Sequence, residues 1–145
     1  MKKLLTLFMI ISATIFAEIK TELVAQKVVT SSEGKIERVS AENANPGDII
    51  NYSFFMTNED NETATNLNPT IPIPMGTSLI PDTISPKDFK VTINGRDFYD
   101  FPIKVDGKDV PNSEYRVVSW SIPELKAKGE KKVELSVQIH TVNKN

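Results

Sequence analysis

Cysteine is absent from the 145 residues, so the chain has no disulfide, no thiolate metal ligand and no thiol nucleophile. Histidine is nearly absent: His140 is the single imidazole, five residues from the end. A hydrolase triad with an imidazole base has that one candidate, and no nucleophile elbow accompanies it in sequence. One imidazole without a thiol also excludes a closed zinc site of nitrogen and sulfur ligands. Glycine is scarce, at six residues, and no phosphate-cradling glycine pattern of the Walker or dinucleotide kind occurs. Basic clusters interleaved with aromatics are missing as well, which removes the footprint that a nucleic-acid backbone requires. Long apolar runs are confined to the first 17 positions, and nothing downstream approaches the ~20 residues of a membrane-spanning helix.

What is present begins with MKKLLTLFMIISATIFA. Lys2 and Lys3 make a positive start, Leu4 to Phe16 an apolar stretch, and Ala17 a small residue before polar Glu18. This is the pattern of a secretory signal peptide over residues 1–17, and it implies export with no membrane insertion after cleavage. Removing it leaves residues 18–145, one domain's worth. It also leaves 15 basic against 19 acidic residues, a formal charge of −4. The mature chain has no lipid-attachment cysteine and ends in TVNKN without an anchoring pattern, so the expected location is the periplasm, the cell surface or the medium.

Strict apolar–polar alternation marks a strand with one buried and one wet face. Val133 to His140 shows it, and so does Ile50 to Thr57, where Ile50, Tyr52, Phe54 and Met56 form the inner face and only Phe55 breaks the pattern. Composition adds strands at Ile19 to Thr30, Lys35 to Ser40, Thr63 to Ile71, Thr77 to Ile80 and Val117 to Ile122, the last carrying the single Trp120. Asn94-Gly95, between Phe89–Ile93 and Arg96–Tyr99, predicts a type I′ hairpin, and Asp106-Gly107 a second tight turn. Nine prolines, with no sustained helical spacing beyond the leader, leave an all-β chain.

Seven to nine short antiparallel strands make a sandwich or a barrel. Pro69, Pro72 and Pro74 crowd one strand, and proline cannot donate to a ladder, so that strand lies at a sheet edge and an open sandwich follows. Pro81 to Tyr115 reads as hairpins and loops at one end of it. Tyr52 and Trp120 are expected in the core.

Four pieces in order carry a family resemblance: Asn45-Pro46-Gly47-Asp48, then IINYSFFMTNED, then TATNLNPTIPIPMGTSLI, then VVSWSIPELKAKGEKKVELSVQI. With Gly47, Asp48, Tyr52, Asn58, Ala64, Asn66, Pro72, Pro74, Gly76, Trp120, Leu125, Gly129 and Glu130 at the matching places, residues 19–139 resemble the DUF11 conserved-repeat family of bacterial and archaeal envelope proteins. The resemblance implies an immunoglobulin-like β-sandwich. It departs at Pro69, where the family has an apolar strand residue, and at Ile71, where the family has Asp before the proline. Family members are commonly large multi-repeat surface proteins, whereas this is one short module. Gly47, Gly76 and Gly129 are candidates for positive φ at turns.

No catalytic, cofactor-binding or metal-binding residue is assigned. Glu59, Asp60 and Glu62 with Asn58 and Asn61 form an oxygen-rich loop that a polar turn explains, with calcium as the alternative, although EF-hand spacing is absent. Scattered acids give no facing pair for glycoside hydrolysis. Asn51-Tyr52-Ser53 and Asn61-Glu62-Thr63 match a glycosylation pattern that is accidental in a bacterial chain. An isopeptide crosslink would compensate for missing disulfides, but no Lys–Asn or Lys–Asp pairing is identifiable. The expected function is non-enzymatic recognition or surface assembly with another envelope or surface protein, by lending an edge strand among other routes. The alternative is a carbohydrate-binding module using Phe98, Tyr99, Phe101 and Tyr115. Intact-mass measurement of the chain recovered from the exported fraction of a bacterial host is expected to place its first residue within a few positions of Glu18.

Overall fold

The computed structural model describes residues 18–141, and the leader read at residues 1–17 lies outside them. Among the described residues every regular element is a strand and every pairing is antiparallel. In chain order these are β1 (Ile19–Thr30), β2 (Ile36–Ser40), β3 (Ile49–Asn58), β4 (Ala64–Leu67), β5 (Thr70–Pro72) and β6 (Thr77–Ser85). There follow β7 (Phe89–Thr92), β8 (Lys104–Val105), β9 (Lys108–Asp109), β10 (Val117–Trp120), β11 (Ile122–Leu125) and β12 (Glu130–Ile139). One five-stranded sheet has the order β2-β1-β3-β12-β6; smaller sheets run β5-β10-β7 and β11-β4, and β8 pairs with β9. The arrangement is an all-β, broadly sandwich-like one.

Twelve strands replace the seven to nine expected because the short β8–β9 hairpin adds two and because two predicted strands are broken, and broken opposite each other, while Arg96–Tyr99 keeps only a single bridge at Tyr99. Thr63 to Ile71 divides into β4 and β5, and Val117 to Ile122 divides into β10 and the start of β11. β5 pairs with β10, β4 with β11. At the break Asn66 is left-handed (φ 57°), a conformation asparagine tolerates better than most residues. Pro69 has no N–H, but its carbonyl still accepts from Trp120 N–H at 3.0 Å. β4 and β5 are each the outer strand of their sheet, as the prolines required.

The turns divide differently from expectation. Asp106 (φ 53°) and Gly107 (φ 78°) are both left-handed and join β8 to β9 as a two-residue type I′ hairpin does. Asn94 is not left-handed: its side-chain oxygen accepts from the N–H groups of Arg96 and Asp97, each at 2.9 Å, so the chain turns widely on an Asx motif. Gly129 also departs from expectation, since Lys128 takes the positive φ there. Glycine is needed at 129 because a Cβ would lie 2.8 Å from the Lys126 carbonyl oxygen.

The core lies between the two sets of strands. Val133, Leu135 and Val137 of β12 are fully enclosed with Ile71, Ile84, Val91 and Val118. Trp120, 2% exposed, is a core residue as expected, and its indole N–H donates to the Pro86 carbonyl at 2.9 Å. That hydrogen bond satisfies the one polar group the ring brings inside. The outer face of the large sheet carries a buried polar row instead. Asn51 donates to Ser136 Oγ at 3.0 Å, Ser53 donates to Asn51 Oδ1 at 2.9 Å, and Ser136 N–H donates to Thr83 Oγ1 at 2.7 Å. Thr83 reaches this row because β6 bulges against β12 between Glu134 and Ser136.

The smaller layer does not cover the whole large sheet. Directly opposed residues share a face, and one row crosses all five strands: Val39, Lys27, Ile50, Val137, Leu79. Val39 is 40% exposed, Lys27 half-buried, and Ile50, Val137 and Leu79 are buried. The next rows repeat the gradient, from Ala25 through Tyr52 to Leu135 and from Leu23 through Phe54 to Val133. Tyr52 and Phe54 are therefore only half-buried, at the boundary, and not enclosed as the inner-face reading expected. Cover ends along β3, and the β1–β2 hairpin projects as a ledge. Lys27 holds its root, with its ammonium 3.0 Å from Asp48 Oδ2 in the turn before β3. The Asn45 N–H and then the Lys27 charge keep the Asp48 carboxyl below its ordinary range.

Leu135 and Leu23 lie in adjacent rows of one sheet face, yet they differ in cover. Leu135→Ala is expected to cost roughly 2–5 kcal/mol, the range for a buried leucine, and Leu23→Ala no more than about 0.5 kcal/mol. Urea denaturation of the two variants checks this, and equal losses would mean that the ledge is covered.

Candidate functional site

The end of the sandwich beyond β7 is built from the segment 93–116, and its side chains are fixed by backbone hydrogen bonds. Tyr99 exchanges two backbone bonds with Val91 of β7, each at 2.9 Å, which stations it beside the strand. Ile103 donates its N–H to the Tyr115 hydroxyl oxygen at 3.0 Å, and its carbonyl accepts from Val110 N–H at 2.9 Å, closing the β8–β9 hairpin. Asn94 is held by Thr92, Arg96 and Asp97. These fixed points wall an open groove of about 630 Å³ with Ile93, Pro102 and Ile103 on its apolar side and Tyr99, Asp100 and Lys104 around it.

The four aromatics expected to be exposed here divide into two pairs. Tyr115 is fully buried, and Phe101 packs between it and Phe89 with ring centroids 5.6 and 6.1 Å apart. Those two plug the sandwich end and are unavailable as a binding platform. Phe98 and Tyr99 remain outside, Tyr99 at 55% exposure. Burial pushes the Tyr115 hydroxyl above its ordinary pKa, opposed by the Ile103 N–H and reinforced by the Asp109 charge. Tyr52 is raised by burial alone.

Other sequence candidates sit apart from this groove. His140 is exposed, with Nε2 2.7 Å from Ser78 Oγ, in a shallow groove with Gln138 and Thr141. Among the described residues no carboxylate is paired with the imidazole, and the Ser–His contact shows there no acid of the kind that orients the ring in a triad. In the 58–62 loop Asn58 is buried and acts as a brace. Its amide donates to the carbonyls of Glu62 (2.8 Å) and Leu125 (2.9 Å), and its oxygen accepts from Asp60 N–H (3.0 Å). The Lys128 ammonium bonds the Glu59 carbonyl, so that oxygen of the loop already has a cationic partner. Among the described residues no three His, Asp or Glu side chains converge as a metal site requires.

Lys27 and Asp48 are close enough for an isopeptide, but the carboxyl is stabilised in its ionised form, the opposite of the neutral acid that amide formation needs. Phe55, the residue that broke the alternation, faces outward between Glu22 and Lys132 in a groove of about 450 Å³. Asn51 is buried, so its glycosylation pattern is inaccessible. Sequence reasoning missed the Ile93, Pro102 and Ile103 floor of the groove beyond β7. Its available signal was an apolar residue at every turn of an otherwise polar stretch.

No family model, no curated protein and no solved structure matches this chain. Among the described residues no helix is long and apolar enough to cross a membrane.

Replacing Tyr115 with Phe removes the only acceptor of the Ile103 N–H and is expected to cost about 1–3 kcal/mol near neutral pH. With its folded pKa above the unfolded value of 10.0, Tyr115 contributes stability that is complete below pH 10 and lost as pH rises through the folded value. Thermal denaturation between pH 8 and pH 12 is expected to show a smaller alkaline loss in Tyr115→Phe, with the share from Tyr52 persisting.

Proposed function

We propose that this chain is an exported, non-enzymatic module of the cell envelope that recognises another envelope protein through the uncovered face of its β1–β2 ledge. The reading starts from the leader pattern at residues 1–17 and from a fold consistent with the immunoglobulin-like sandwich that the DUF11 resemblance implies. Trp120 between the layers and Tyr115 just before β10, tied by its hydroxyl to backbone upstream, suit such a sandwich. The Ser78–His140 contact, open to solvent and without an acid partner among the described residues, supports a non-catalytic role.

The observation that carries the reading is the row of apolar side chains on the ledge: Leu23, Ala25 and Val39 outside, Tyr52 and Phe54 at its inner border. Contiguous apolar surface on an exported monomer marks an interaction site. The partner brings side chains rather than a strand. On β5 the bonds to β10 use Pro69, Ile71 and Ile73, so the outward positions are Thr70, Pro72 and Pro74. Two of those three have no N–H, which blunts the edge against strand addition. β2, the outer strand of the ledge itself, is five residues long and carries Glu37 and Arg38.

A photo-crosslinking amino acid placed at Leu23 or Val39 in producing cells is expected to yield one discrete adduct with an envelope protein. The same probe at exposed Lys126 is expected to yield none, and Val39→Glu should abolish the adduct formed from position 23. Equal labelling from all three positions would refute the ledge as the docking face. Carbohydrate binding is the second reading, favoured by the exposed Tyr99 beside its groove.

A further inference from the structure

We infer that the groove beyond β7 is a binding site for a neutral saccharide, with Tyr99 as the surface on which a sugar ring lies. This deepens the second reading above and is independent of the ledge. Three features of the groove argue for that ligand class. First, its volume of about 630 Å³ falls in the range of small-ligand sites and suits a short stretch of sugar units. Second, its surfaces are mixed in the way a pyranose is mixed. Ile93, Pro102 and Ile103 give an apolar side and Tyr99 an aromatic one, against which ring C–H groups pack. Asp100 and Lys104 supply an acceptor and donors for hydroxyls at the ring edge.

Third, the charges around it cancel. Asp100 pairs with Lys90 at 2.5 Å and Lys104 with Asp109 at 3.4 Å. An ionic ligand would have to compete with those pairs, whereas a hydroxyl hydrogen-bonds to either group while leaving the pair intact. An anionic polymer also gains nothing from the wider segment, where Arg96, Lys108 and Arg116 are matched by Asp97, Asp106 and Glu114.

The site is built before any ligand arrives. Two backbone bonds to Val91 lock the Tyr99 main chain, and Ile103 is pinned on both sides by Tyr115 and Val110. Such fixed walls reduce the ordering cost of association. The tilted Phe89–Phe101–Tyr115 ring cluster, with Tyr115 fully buried and the two phenylalanines partly so, gives the segment a stiff foundation. Its position also separates it from the ledge: the groove belongs to the segment after β7, at one margin of the small layer, and the ledge to β1 and β2 at one margin of the large sheet.

The test is amide-resolved NMR of the purified protein with neutral hexasaccharides of glucose, mannose and N-acetylglucosamine, each taken to millimolar concentration. At least one is expected to shift amides within residues 93–105 and to leave those of β1 and β2 unmoved. Tyr99→Ala should weaken that binding by about tenfold or more, the effect of losing an aromatic packing partner, and exposed Phe55→Ala should leave it unchanged. Affinity should hold constant between low and high salt, since no net charge is exchanged. No shift in residues 93–105 with any of the three sugars, or equal binding by Tyr99→Ala, overturns the assignment. So does binding only to an acidic polysaccharide with loss of affinity in salt, which would place the ligand in a different class. Because Tyr99 is exposed, its spectrum elsewhere should match the parent, and Lys104→Ala, on the groove's polar side, gives a second variant whose fold does not depend on Tyr99.

Discussion

The pairing of β3 with β12 is the contact on which the other elements depend. These two ten-residue strands meet across more than seventy residues of chain, from Glu130 opposite Thr57 to Gln138 opposite Ile49. Between them they place Ile50, Val133, Leu135 and Val137 in adjacent rows of the buried face. With no cysteine to close so long a loop, the cost of bringing the strands together is offset by the apolar area those rows remove from water. β1 and β6 then add to an existing edge on either side. The smaller layer has something to pack against only once the central pair exists.

The same dependence explains what could be read from sequence and what could not. β3 and β12 were legible because each is long and alternates, and the β1 span was legible to the residue, since β-branched residues recur along it at Ile19, Thr21, Val24, Val28, Val29 and Thr30 with no turn residue between them. The short strands of the smaller layer were not, because their limits are set by one another. Nothing between Val117 and Ile122 announces a break; the break exists because the partner segment turns at Asn66 to Pro69. Turn chemistry was legible at Asp106-Gly107, where a two-residue loop leaves the backbone no alternative. It failed at Asn94-Gly95, where the asparagine side chain could bond its own backbone and open the loop. The identical dipeptide logic gave opposite outcomes because local side-chain hydrogen bonds compete with the strand pairing.

The candidate sites were less legible than the fold for a related reason. Alternation reports which side chains share a face, but not how far the opposing layer extends. Tyr52 and Leu135 sit directly opposite on one face, and sequence treats them alike. One is enclosed and the other half-exposed because the second layer is narrower than the first. Likewise Phe98, Tyr99, Phe101 and Tyr115 are equivalent as aromatics in a polar stretch. Only the Ile103–Tyr115 hydrogen bond and the ring stack determine which of them turn inward.

An uncovered apolar ledge invites aggregation unless its edges are guarded, and guards are visible on two of the outer strands. The outer strand β2 is short and bears Glu37 and Arg38, and β5 presents prolines at its outward positions. Arg38 is also tied to Glu134 of β12 at 3.3 Å, and Lys27 to Asp48 at the hairpin root, so the ledge is braced from both faces of the sheet without a covering layer. A ledge that is apolar and braced, with β2 and β5 blunted against strand addition, suits the side-chain docking proposed above. On these two strands the charges and prolines oppose the edge-to-edge pairing by which an unguarded strand would template further copies of itself.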